Sequence, residues 1–442
     1  MIRLIYNLGL PVVLILALPL LIVKAIRVPG YTAWIGRRLG LLAGSAPRSC
    51  PPREGKLIWL HALSVGETVS ARPLLRVLRR HFPEATLVLS NSTRAGAALA
   101  AASCGALADR LEVLPYDLPW VMKRLVRRLR PDLFILVESD LWPNLLRSLA
   151  KEGVPQLLTN GRLSTSSWRW YQRLRFLVRP LLFDSFAFLA MQTGKEAARL
   201  RTLGLPPVRV GVLGNLKYPA ALDPWPPSGS TLRLSRGLLG IGADKLLWLA
   251  GSTHAGEEEV LLRAWRRLHR EFPELFLLLA PRRVERAGEV LELARRYDPR
   301  ARLRSAPGNH GGQVLILDSY GELAALYPLS DLAFVGGSLV PAGGHNPLEA
   351  AVGCRPSLFG PHMEDFAEIS LDLLAAGGAC QVKDEEEIVT AVTLWLREPA
   401  ARAAAGRQAA RLVATRSRGV LTAHLEMIAK LLGSDLPSEE KR

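Results

Sequence analysis

Short apolar runs alternate with helical stretches in two series along this chain, and that rhythm constrains the fold more than any other feature. The first series of strands is read at Leu57–Ala62, Leu87–Leu89, Leu111–Leu114, Leu133–Val137, Gln156–Leu158, Phe186–Met191 and Arg209–Val212. The second is read at Leu246–Ala250, Leu275–Leu279, Val314–Leu317, Leu332–Val335, Ser357–Phe359 and Gln381–Val382. Regular strand–helix alternation predicts a parallel sheet covered by helices on both faces. Pro219–Pro227, ending in Pro-Trp-Pro-Pro, separates the series as a linker would. The expected class is α/β, with two Rossmann-like domains facing a cleft. The expected boundaries are an anchor over residues 1–27, an N-terminal domain over 28–218, a linker over 219–240, a C-terminal domain with terminal helices over 241–432, and a polar tail over 433–442.

The anchor is Leu8–Val23, apolar and uncharged, preceded by Arg3 and followed by Lys24, Arg27, Arg37 and Arg38. Its length is near the lower limit for a spanning helix, and Pro11 and Pro19 interrupt it. No small-residue cleavage site follows it. The cationic C-terminal flank predicts a cytoplasmic location for the rest. A single-pass or embedded anchor is expected, with a surface-lying helix as the alternative.

Charge narrows the partners. The chain has 57 Lys+Arg against 40 Asp+Glu, a net +17, which favours anionic partners such as nucleic acid, anionic membrane or phosphorylated substrates. No nucleic-acid-binding module is recognisable. Lys123, Arg124, Arg127 and Arg128 on one helix, and Arg169 and Arg173 among Trp168, Trp170 and Tyr171, suit either a solvated face or an anionic headgroup interface. The four cysteines are scattered and the histidines lack ligand spacing, so neither a disulfide framework nor a metal site is expected.

In open parallel sheets, ligands bind beyond the C-terminal strand ends. Glu67 follows the first strand, three residues after Ser64; it reads as a capping box or as a general base. Glu138 ends an apolar strand, where a carboxylate caps a helix or orients a catalytic group. Lys217 is a surface lysine or a phosphate contact beside the linker. Ser252, Thr253 and His254 precede a helix whose N–H groups suit an anion. Pro281 and Arg282 end the next strand, and Tyr320, Gly321 and Glu322 open a further helix. Phe334–Ala351 carries two glycine pairs, Gly336-Gly337 and Gly343-Gly344. His345 and a helix start follow, with Asn346 as N-cap, Pro347, Leu348 and Glu349. This is a phosphate cradle or an ordinary turn before a capped helix.

These segments resemble the 3-deoxy-D-manno-octulosonic acid (Kdo) transferases of lipopolysaccharide synthesis. The resemblance covers nearly the whole chain. It is carried by His61-Ala-Leu-Ser-Val-Gly-Glu67, Glu138-Ser-Asp-Leu-Trp-Pro-Asn144, Asn160-Gly-Arg-Leu-Ser164, Gly214-Asn-Leu-Lys217, Gly251–Glu258, Pro281–Arg286, Asp318–Leu323 and Gly336–Glu349. It implies a B-type glycosyltransferase moving Kdo, with inversion, from the co-substrate CMP-Kdo to a lipid A precursor at the cytoplasmic face of the inner membrane, with no further cofactor. Glu67 is implied as the general base, and Glu138 and Lys217 as the groups stabilising the transition state. Pro281, Arg282, Tyr320, Gly321, Glu322, Asn346, Pro347, Leu348 and Glu349 are implied as CMP-binding. Ser252, Thr253, His254, Gly343 and Gly344 are candidates for donor-site support. Arg283, Asp140, Ser319-Tyr320 and Gly161 stand where the family commonly has His, Glu, Thr-Met and Ala. A glycosyltransferase using another nucleotide sugar and a membrane-tethered nucleic-acid-binding protein are the alternatives.

Overall fold

The computed structural model describes residues 2–41, 55–138, 140–223, 234–306 and 311–434. It forms two compact units, Met1–Trp225 with Ser417–Arg442, and Pro226–Arg416. Residues 42–54, residues 224–233 of the linker and residues 435–442 of the polar tail lie outside the described residues.

The first unit holds a seven-stranded, all-parallel sheet. Its strands are β1 (Leu57–His61), β2 (Thr86–Asn91), β3 (Arg110–Val113), β4 (Leu133–Val137), β5 (Gln156–Gly161), β6 (Phe188–Met191) and β7 (Val210–Val212). The spatial order is β3-β2-β1-β4-β5-β6-β7, so the winding reverses between β1 and β4. Every residue of β1 and β4 is buried, as a sheet covered on both faces requires. Side chains alternate between two cores. Leu57, Trp59, Phe134 and Leu136 enter one, and Ile58, Leu60, Leu133, Ile135 and Val137 the other.

The second unit repeats this plan with β8 (Leu246–Thr253), β9 (Leu275–Pro281), β10 (Arg302–Leu303), β11 (Val314–Ile316), β12 (Leu332–Val335), β13 (Ser357–Phe359) and β14 (Ala379–Gln381). The order is β10-β11-β9-β8-β12-β13-β14, all parallel, with the reversal between β8 and β12. β10 escapes the sequence reading because it is two residues long and includes a buried arginine, Arg302.

One boundary differs from expectation. The helix Pro399–Leu432 begins in the second unit, but from Ser417 the chain clusters with the first, not with residues 241–416. Val420, Leu425, Ile428 and Leu432 pack in the core that holds Ile58 and Ile135. His424 is fully buried there and bonded to Thr159 Oγ1 and the Val420 carbonyl. Burial depresses its pKa to about 4, so the ring is neutral.

Candidate active site

Glu67 and Glu138 both follow strands at the β1/β4 reversal. Glu67 sits in the first turn of the helix Val65–His81 and is 6% exposed. The Ser64 side chain accepts its N–H at 3.5 Å, while its own carboxylate reaches back to the Leu63 N–H. Cap and candidate base are therefore the same residue. Burial pushes the Glu67 carboxyl up to about 8, and the nearby charges of Glu138 and Asp140 push the same way.

Glu138 leaves β4 with φ 66°, a left-handed conformation uncommon for a residue of this type. Burial raises its pKa, while Lys217 and Arg162 pull it down. A cavity of about 340 Å³ opens beside it, lined in part by Leu141, Arg162, Tyr171 and Phe183. Asn160, fully buried at φ 55°, donates to Glu138 Oε1 at 3.1 Å and accepts the Leu216 N–H at 2.9 Å. Gln192 donates to the Asn160 carbonyl at 3.1 Å and accepts from Asn215 at 3.3 Å. Asn215 in turn accepts the Lys217 N–H at 3.0 Å. A chain of amide side chains thus ties Glu138 to the backbone of Lys217.

Asp140 accepts from His61 Nε2 at 2.8 Å and from Ser92 at 3.1 Å. Burial pushes its carboxyl up, but the His61 bond and charge outweigh it and hold Asp140 below the usual range. The ionised Asp140 is one of the charges that makes Glu67 more basic.

In the second unit, β8 and β12 end side by side, Gly251 opposite Val335. Glu257, in the first turn of the helix Glu257–Glu271, is fully buried. Its carboxylate accepts the N–H groups of His254 (2.8 Å), Gly337 (2.7 Å), Ser338 (2.9 Å) and Leu339 (2.9 Å). The N–H groups of Gly337 and of His254 are taken up by the protein's own carboxylate. Gly344 and His345 give their N–H groups to the Gly337 and Gly336 carbonyls. Gly337 has φ 68°, and a Cβ there would stand 3.1 Å from the His345 ring, so both backbone conformation and space favour glycine.

His254 and His345 stack at 5.1 Å between centroids with Nε2 atoms 2.8 Å apart. Burial, Arg282 and His254 lower the His345 pKa to about 4. The helix after His345 begins one residue later than read, at Leu348, with Asn346 Oδ1 accepting the Leu348 N–H at 3.2 Å. Burial raises the Glu349 carboxyl against the pull of Asn346 and Arg282. Arg282 is exposed, its N–H on the Thr253 carbonyl at 2.9 Å. Pro281 is buried, Ser252 has φ 57°, and Gly343 has φ 87°. Tyr320, 70% exposed, donates to Glu285 at 2.7 Å, and Gly321 turns the chain at φ 83°. Glu322 is held by Ser319 at 2.7 Å and by Arg304 at 3.7 Å.

The family model described as 3-deoxy-D-manno-octulosonic-acid transferase (kdotransferase) matches residues 34–220. The 3-deoxy-D-manno-octulosonic acid transferase of Haemophilus influenzae is 33% identical over 92% of this chain and 93% of its own length. This chain belongs to the Kdo transferase family. The corresponding Bordetella pertussis protein is 32% identical, over 90% of this chain and 96% of its own. Among solved structures, a UDP-GlcNAc 2-epimerase from Neisseria meningitidis superposes with TM-score 0.60 at 11% identity, over 84% of this chain and all of that one, a likeness of fold alone.

In this family member, Lys123, Arg124, Arg127 and Arg128 lie exposed on the helix Pro119–Leu129, opposite Met122, Leu125, Val126 and Leu129. Arg127 pairs with Glu152 at 2.8 Å and Arg128 with Glu112 at 3.1 Å. Arg169 and Arg173 are exposed on the helix Thr165–Arg173.

Asn160, Gln192, His61 and Asp140 were not singled out as site residues, because their roles rest on bonds between distant segments. Asn160→Ala tests the amide chain. It is expected to lower kcat about 10- to 100-fold by loosening Glu138 against Lys217. Steady-state kinetics with a folded variant check it; unchanged kcat would contradict it.

Proposed function

We propose that this chain is an inverting transferase that moves Kdo from CMP-Kdo to a hydroxyl of a lipid A precursor at the cytoplasmic face of the inner membrane. The observation that carries the reading is Glu67, a buried carboxyl with raised basicity at the β1/β4 reversal, in a chain of this family. An acceptor hydroxyl is a weak nucleophile and gains from a positioned base. Glu67 takes the hydroxyl proton as the oxygen attacks the anomeric carbon of Kdo. The bond from that carbon to the CMP phosphate oxygen breaks, and CMP leaves with both electrons.

Lys217 supplies positive potential for the departing phosphate, and Arg282 contributes to holding the CMP moiety. Glu138, held by Asn160, keeps Lys217 oriented. Tyr320–Glu322 and Asn346–Glu349 border the cytidine. The net charge of +17 and the apolar N-terminal helix suit an anionic, acylated acceptor that stays in the bilayer.

Nucleotide competition tests the donor assignment. CMP is expected to raise the unfolding temperature and UDP to do so far less, and Arg282→Ala is expected to weaken CMP binding about 10- to 100-fold. Equal or stronger stabilisation by UDP would overturn the assignment.

A further inference from the structure

The N-terminal helix Ile2–Arg27 has a composition that would span a bilayer: its most apolar stretch has mean hydropathy 2.5 and no residue of it is fully buried in the protein. At about 1.5 Å per residue, 26 residues reach roughly 39 Å. Its attachments conflict with spanning. Near its start, Arg3 donates to the Pro180 carbonyl at 3.1 Å, and the Tyr6 hydroxyl donates to Asp117 at 3.0 Å. Asn7 accepts from Asn144 at 2.7 Å. Asp117 is 1% exposed and also accepts the N–H groups of Asn144 and Leu145, both at 2.8 Å, so this anchorage is built into the body.

The far end is tied as well. Arg94 donates to the Pro29 carbonyl at 2.7 Å. The next helix, Tyr31–Arg38, ends with Arg38 buried, donating to the Leu114 carbonyl and stacked 4.4 Å over Tyr116. Arg94, Leu114–Asp117 and Asn144 follow β2, β3 and β4, along the C-terminal edge of the sheet, where the strands end and where Glu67 and Glu138 also lie. A helix leaving this edge to cross a membrane would carry Tyr6 and Asn7 about 30 Å from it.

Exposure along the helix agrees. Tyr6, Asn7, Leu10, Leu14, Ala17 and Leu21 form a half-buried stripe at three- and four-residue spacing. Leu4, Leu8, Val12, Ile15, Leu16 and Ile26 are more than half exposed. The helix has no charged face of its own; the body supplies the polar side that an interfacial helix needs. Near Pro180, Trp170 and Phe176 are 61% and 78% exposed, among Arg169, Arg173 and Arg175. Aromatic and basic side chains so mixed match an anionic headgroup layer.

The geometry points to a helix that lies in the plane of one leaflet of an anionic bilayer, held along the sheet edge, with both its ends on the side of the membrane where the body lies. The sidedness rests on these contacts alone. Its value to the reaction rests on the proposed function: a lipid headgroup would meet the Glu67 edge without leaving the leaflet.

Sidedness is tested on the full chain in membrane vesicles of each orientation, with protease-cleavable tags at both termini. Both tags are expected to be cut from the same side; cutting from opposite sides overturns the inference. Because a tag can alter insertion, Asn7→Cys is also paired with Asn144→Cys in a background lacking native cysteines. A short bismaleimide is expected to link them within the membrane. Failure to link, while Pro29→Cys links to Arg94→Cys, overturns it. Neither readout uses activity, so the inference and the proposed function fail separately.

Discussion

Glu67→Gln is expected to lower kcat roughly 100- to 10,000-fold while CMP binding and folding persist. Glutamine keeps an oxygen for the Leu63 N–H and keeps the first-turn geometry, so a purely capping role would leave activity nearly intact. The wild-type pH profile carries the sign. The carboxylate is the active form and its pKa stands near 8, so kcat/KM is expected to rise with pH through that value. Stability moves the other way. A carboxyl whose folded pKa lies above its unfolded value of about 4.3 contributes stability below that value and loses it as pH climbs towards 8. The unfolding temperature of Glu67→Gln, relative to wild type, is therefore expected to increase between pH 5 and 9. A flat difference together with retained activity would remove Glu67 from the chemistry.

Glu257→Ala is expected to destabilise the second unit by about 3–5 kcal/mol. It strips the acceptor from four backbone N–H groups at the ends of β8 and β12, at a residue with no exposed surface. That is a large part of the 5–15 kcal/mol typical of a whole domain. Glu257→Gln is expected to cost less but still measurably, because its NH₂ group must face two N–H donors. Urea unfolding followed by two probes, one per unit, checks this. A shift confined to less than about 0.5 kcal/mol would mean that water or a rearranged loop replaces the carboxylate.

The role of Glu257 also shows where sequence reasoning stops. A glutamate in the first turn of a helix looks like a local cap, and its contact with His254 is local. Its other three partners lie about 80 residues away, and no spacing rule reaches them. The strands were legible because sheets buried on both faces need continuous apolar runs, as in Leu133–Val137. The candidate site was legible as far as chemistry follows from position: Glu67 and Glu138 end up at a sheet reversal because they follow β1 and β4. The amide chain from Asn160 through Gln192 to Asn215 was not legible, since each of those residues is unremarkable alone. Positive φ at Glu138, Asn160 and Ser252 was equally hidden, because only glycine announces that conformation in a sequence. The helix after Pro399 was read correctly as helix, but its apolar stripe does not say which core it enters.

The most direct test of the account is transfer itself. Solubilised wild-type protein and Glu67→Gln are incubated with CMP-Kdo and a tetraacylated lipid A precursor, and the lipid is weighed by mass spectrometry. A mass gain of one or more Kdo residues is expected with wild type and none, in the same time, with Glu67→Gln. No gain with a wild-type sample that still binds CMP, or an equal gain with both proteins, would contradict it.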